Sequence, residues 1–134
     1  MKLSVAKDLR PLKRAAYQRA LERIEAAARA LLKRYSGTER LTWGEQLRLA
    51  RAVKAGRAIG EDTILAKRAE SKGRSRGGEA ASVLARAAKF HEAAMSLESL
   101  REQAETLLDI DNPAKLDAAE KAIEAALTAM AKYY

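Results

Sequence analysis

The sequence predicts an all-α chain: a bundle of about four to five helices arranged as antiparallel helical hairpins with short coiled-coil seams. Two observations predict it. Apolar residues recur at alternating steps of three and four along most of the chain, the period of one helix face, and no stretch alternates as a half-buried strand does. Gly and Pro fall between the periodic stretches, where helices stop and start. The seams span two to four heptads, which suits either bundle packing or a short coiled coil.

The first helix is expected over about residues 8–35, with Asp8 as N-cap and Pro11 in the first turn, where its missing amide costs little. Tyr17, Leu21, Ile24, Ala28, Leu31 and Tyr35 form its seam, and Ser36-Gly37 its stop. Thr42 followed three residues later by Glu45 has capping-box spacing, so a second helix is expected from Thr42 to about Ala55. In that reading Leu41 precedes the cap, Trp43 opens the first turn, and Leu41, Thr42, Trp43 and Glu45 together fix the helix junction. Trp43, Leu47, Ala50 and Val53 make the stripe, and Gly56 the stop. A short third helix carries Ile64, Leu65 and Ala69 and ends before Gly73.

Lys72-Gly73-Arg74-Ser75-Arg76-Gly77-Gly78 opposes regular structure and is expected to be a loop over 73–78. A long hairpin over 79–133 then follows. Its first arm runs from about Glu79 to Leu108 with Val83, Ala87, Phe90, Ala94, Leu97, Ala104 and Leu108 in register and Arg101 intruding. Asn112 as N-cap and Pro113 as first helical residue start the second arm, which carries Leu116, Ala119, Ile123, Ala126, Met130 and Tyr133. The whole, 1–134, reads as a single helical domain, with short helices over 42–72 joining the basic first helix to the hairpin.

Alanine supplies much of the apolar fraction and the chain has one Trp, one Phe and four Tyr. The expected core is therefore thin and favours self-association or a larger partner. There is no cysteine, so there is neither a disulfide staple nor thiolate chemistry. No apolar run is long enough for a membrane span, and the first residues lack the apolar core of a signal peptide. Residues 1–57 hold fifteen Lys/Arg against five Asp/Glu, a balance of +10, while residues 91–134 hold four against nine, or −5. Such asymmetry serves nucleic acid, an acidic partner, or attraction between the halves.

No catalytic residue, metal site or cofactor is expected. His91 is the single histidine, so it lacks the usual partners of a metal site or a nucleophile dyad, and reads as a partly buried packing residue. Asp109 and Asp111 lack the glycine and terminal glutamate of a calcium loop, and Glu98, Glu102 and Glu105 read as a solvated acidic face. Arg10, Lys13, Arg14, Arg74 and Arg76 are the candidate contacts to phosphate or an acidic partner. Leu21, Ile24, Leu31, Phe90, Leu97, Ile123 and Met130 are the candidate partner seam.

Arg34-Tyr35, then Glu39-Arg40-Leu41-Thr42-Trp43-Gly44-Glu45-Gln46, Ala50-Arg51-Ala52, Ala69-Glu70-Ser71-Lys72-Gly73, Ala87-Ala88-Lys89-Phe90 and Leu100-Arg101-Glu102-Gln103 form a series of short motifs. In that order the series resembles a group of small helical proteins and domains of tailed bacteriophages and prophages, encoded among tail genes and linked with tail fibres or tail assembly. The resemblance covers most of residues 30–110 and brings no catalytic residues. It implies a non-enzymatic structural or assembly component of a phage tail, a homo-oligomer or one bound to a larger tail protein. Such a component resides in the host cytoplasm during assembly and in the virion tail if retained. The alternatives are a basic nucleic-acid-binding or DNA-packaging-associated phage protein, and an adaptor for a host factor.

Overall fold

The computed structural model describes residues 8–133. The first seven residues, read above as lacking a signal-peptide core, lie outside them. Five helices follow one another: α1 (Arg10–Lys33), α2 (Gly37–Lys54), α3 (Ile64–Ser71), α4 (Arg76–Thr106) and α5 (Pro113–Tyr133), with a single 3₁₀ turn over Leu107–Asp109 after α4. No strand occurs among the described residues. The chain is all-α.

It divides into two compact units, one holding the chain up to Leu32 and again from Ala93, the other holding residues 33–92. In the first unit Ala16, Ala20 and Ile24 of α1 bury against Leu97, Leu100 and Ala104 of α4, Leu107, and Leu116 and Ile123 of α5. Arg19 pairs with Glu120 at 2.7 Å, and Arg23 reaches Glu120 and Glu124 at 3.6 and 3.4 Å. Because the partners advance together along both helices, α1 and α5 run side by side in the same sense. α5 begins at the Asn112 cap, whose Oδ1 accepts from the amides of Ala114 and Lys115. Three residues separate the 3₁₀ turn from α5, so the chain turns back on α4 as a hairpin.

The buried lines differ in detail from the expected seams. α1 buries the alanines Ala16 and Ala20 with Ile24, while Tyr17, Leu21, Ala28 and Leu31 flank them half-buried. The register passes through Ala93, Leu97, Leu100 and Ala104 of α4 to Leu107 of the 3₁₀ turn, so Leu108 is exposed and Arg101 leaves the seam to pair with Glu25 of α1. Tyr133 is 67% exposed at the end of α5.

In the second unit Leu49 and Ala50 of α2, Leu65 of α3, and Ala80 and Val83 of α4 form the core. α2 and α3 stop alike. Gly56 and Gly73 hold φ of +79° and +65°, and in each stop the amide of the glycine and that of the following residue bond back to the last helical turn. That is the left-handed cap glycine allows at least cost.

Three expectations are corrected here. α2 starts at Gly37, not at Thr42: Ser36 is its N-cap, with extended φ/ψ of −62°/157° and a hydroxyl that accepts from the amide of Glu39. Gly37 is the first residue of α2 and not the stop of α1. Likewise Ser75 opens α4 by accepting from the amide of Gly78, so Arg76, Gly77 and Gly78 are helical and the loop over 73–78 shrinks to its first residues. In both places a serine capping the next helix outweighs the flexibility of glycines in its first turn. His91, expected to be partly buried, is exposed on α4.

Candidate functional site

With α2 begun at Gly37, the junction residues occupy new places. Glu39, Trp43, Gln46 and Ala50 fall at steps of four, three and four, on the inward face of α2. Leu41 is 88% exposed, and Glu45 is exposed and paired with Arg48 at 2.7 Å. Thr42 sits within the helix, where its hydroxyl donates to the carbonyls of Thr38 and Glu39 and accepts from Gln46 Nε2 at 2.8 Å. That last bond satisfies a donor of Gln46, a buried amide.

Trp43 packs at 4.7 Å from Tyr35 and 4.6 Å from Phe90, and Tyr35 meets Phe90 edge-on at 5.7 Å. The three rings are half-buried. Beside them is a small cavity of about 10 Å³, the size of one water, lined by Tyr35, Glu39, Trp43, Gln46, Val83 and Arg86.

Charged side chains continue the cluster. The Glu39 carboxylate accepts from Arg86 of α4, and Arg68 of α3 lies 3.5 Å from it. Glu79, 1% exposed in the first turn of α4, is held by Lys72 at 3.1 Å and Arg74 at 3.5 Å, with Arg68 at 3.6 Å. Two carboxylates thus gather four cations, from α3, from α4 and from the stretch between them. The Nε atoms of Arg68 and Arg86 are buried without a hydrogen-bond partner. Glu39, Arg68, Glu79 and Arg86 were missed in the sequence reading. The signal for Glu39 was its place three residues after Ser36, but the pairings link positions up to 47 apart in sequence and no local spacing announces them.

The candidate partner seam closes on itself. Ile24, Leu97 and Ile123 are buried in the first unit, with Leu21, Leu31 and Met130 packed against them, and Phe90 belongs to the ring cluster. These side chains build the protein's own interior. The candidate phosphate contacts divide. Arg10 is bound to Asp8, Arg74 to Glu79, and Arg76 donates to the Ile59 carbonyl at 2.9 Å, whereas Lys13 and Arg14 make no ion pair among the described residues. No group of three or more His, Cys, Asp or Glu suited to a metal ion occurs among the described residues. Among the described residues, no helix is long and apolar enough to cross a membrane.

No family model, curated protein or solved structure matches the chain.

Proposed function

We propose that this chain is a non-enzymatic structural or assembly component of a bacteriophage tail, docking through its helices to a larger tail protein or to further copies of itself. One observation carries the reading. Tyr35, Glu39, Thr42, Trp43, Gln46 and Phe90, drawn from three of the motifs on which the tail-protein resemblance rests and scattered over 56 positions, converge on one cluster. Tyr35, Trp43 and Phe90 pack together, and Glu39, Thr42 and Gln46 make the polar bonds around them. A set of motifs that assembles into one packing unit supports descent from a shared scaffold more strongly than the same motifs dispersed over a surface.

Since the apolar seams are used internally, docking falls to the outer faces, where charge sets orientation and partner choice. The test is deletion of the gene from the phage or prophage that encodes it, followed by electron microscopy and titration of the particles. Tailless, fibreless or misassembled particles are expected, with restoration by the intact gene supplied in trans. Normal tails at undiminished titre, or a gene lying outside any phage or prophage region, overturn the reading.

A further inference from the structure

The fold spends its cations unevenly. In the first unit Arg10, Arg19, Arg23, Arg101 and Lys121 each meet a carboxylate. In the second, Arg68, Lys72, Arg74 and Arg86 gather on Glu39 and Glu79. Lys13, Arg14, Arg29 and Lys33 of α1 also stand without an ion pair among the described residues, but at about 100° per residue they spread around that helix, whereas Arg40, Arg51 and Lys54 of α2 share one side. Arg40, Arg51 and Lys54, with Arg57 just beyond the helix, are all exposed, and none makes an ion pair among the described residues. Only Arg48 on that helix is engaged, by Glu45.

These four unspent cations lie along one helix and its stop. From Arg40 to Lys54 the axis covers about 21 Å at 1.5 Å per residue. Between them, Gly44 has open space where a Cβ would stand, so nothing bulky lifts a partner away from the helix there. We propose that this outer face of α2 binds the phosphate backbone of double-stranded nucleic acid, a role independent of tail docking. A duplex carries one negative charge per about 1.7 Å of its axis, so an array of this length meets phosphate along its whole extent. Stacking on single strands needs a free ring, and Trp43, the only aromatic of α2, is packed against Tyr35 and Phe90. The contact is therefore with the backbone, which positions without reading sequence.

The experiment titrates the full chain against labelled short duplexes, DNA and RNA of one sequence, from about 50 to 200 mM salt. It compares wild type with R40Q/R51Q/K54Q/R57Q. A charge-matched control, R29Q/K67Q/K115Q/K132Q, neutralises four exposed cations elsewhere, and circular dichroism verifies that all three chains fold. The wild type is expected to lose affinity steeply with salt. Loss of four phosphate contacts flattens the log–log slope of the α2 variant by roughly 3.6, at about 0.9 per contact. The control retains most of the wild-type slope. Equal binding of both duplexes assigns the contact to phosphate alone, and preference for one assigns its source; either supports the proposal. It is overturned if the α2 variant binds like wild type, or if the control loses as much. It is also overturned if the α2 variant alters only self-association by light scattering, which would give this face to an acidic protein surface.

Discussion

Glu39 is the residue on which three helices of the second unit agree, since its carboxylate meets Arg86 of α4 and Arg68 of α3 from within α2. Glu39→Gln leaves two guanidinium groups short of their counter-charge and is expected to lose about 1–3 kcal/mol in urea unfolding. Glu45→Gln, which removes only an exposed pair with Arg48, is expected to lose under about 0.5 kcal/mol. The reverse order would restore Thr42 and Glu45 as the helix start. Spacing cannot separate the two starts, because Ser36 to Glu39 and Thr42 to Glu45 are the same pattern six residues apart. Face does separate them. Only a helix already running at Glu39 brings Glu39, Trp43 and Gln46 to one side, where the buried amide and the ring lie. Trp43→Ala is expected to cost about 2–3 kcal/mol, less than the 3–5 of a fully buried ring, because the indole is half-exposed. A Trp43/Phe90 double-mutant cycle should return a coupling of about 0.5–1.5 kcal/mol.

At the level of elements, glycine decides most of the boundaries, in two opposite ways. Gly56 and Gly73 hold positive φ at helix ends, and both stops were legible because each follows an apolar-periodic stretch and neither directly follows a capping serine. Gly37, Gly77 and Gly78 are helical and follow a serine that caps the helix they open. A glycine looks the same in both roles, and the serine before it carries the distinction. Two substitutions test this. Gly56→Ala is expected to destabilise by about 1–2 kcal/mol, since alanine resists the left-handed conformation. Gly44→Ala, inside α2 with open space at its Cβ, is expected to stabilise by about 0.5–1 kcal/mol. Thermal melting of both variants decides the matter, and a stabilised Gly56→Ala would contradict the cap. The Asn112-Pro113 start was legible for a further reason: Pro disfavours helix at the residue before it, and Asn satisfies the amides after it.

For the molecule as a whole, the legible part was the helical content and the split of charge between front and rear. The sequence could not say how that charge is spent. Pairing of Arg19 and Arg23 with Glu120 and Glu124, and of Glu25 with Arg101, ties the basic front of the first unit to its acidic rear. The hydrogen bond from Arg19 is the main cause that holds the Glu120 carboxyl below its ordinary value, against the opposing effect of partial burial. A depressed folded value means stability that is present above the unfolded carboxyl pKa, about 4.3, and lost as pH falls through the folded value. Glu120→Gln is therefore expected to lower stability at neutral pH and to narrow its gap to wild type below about pH 4. Melting temperatures taken by circular dichroism across that range check it, and a gap independent of pH would remove Glu120 from the account.

The ring cluster also makes the protein its own optical probe. The single indole of the chain stands in the second unit between a phenol and a phenyl ring. Its emission therefore records the state of that unit alone, while the far-ultraviolet signal sums the helices of both. Loosening of residues 33–92 can be followed by intrinsic fluorescence without attaching a dye. Because the indole faces inward on the helix that bears Arg40 and Arg51, a polyanion seated on the outer face should leave its colour unshifted, whereas an occupant that prised the rings apart would move it to the red.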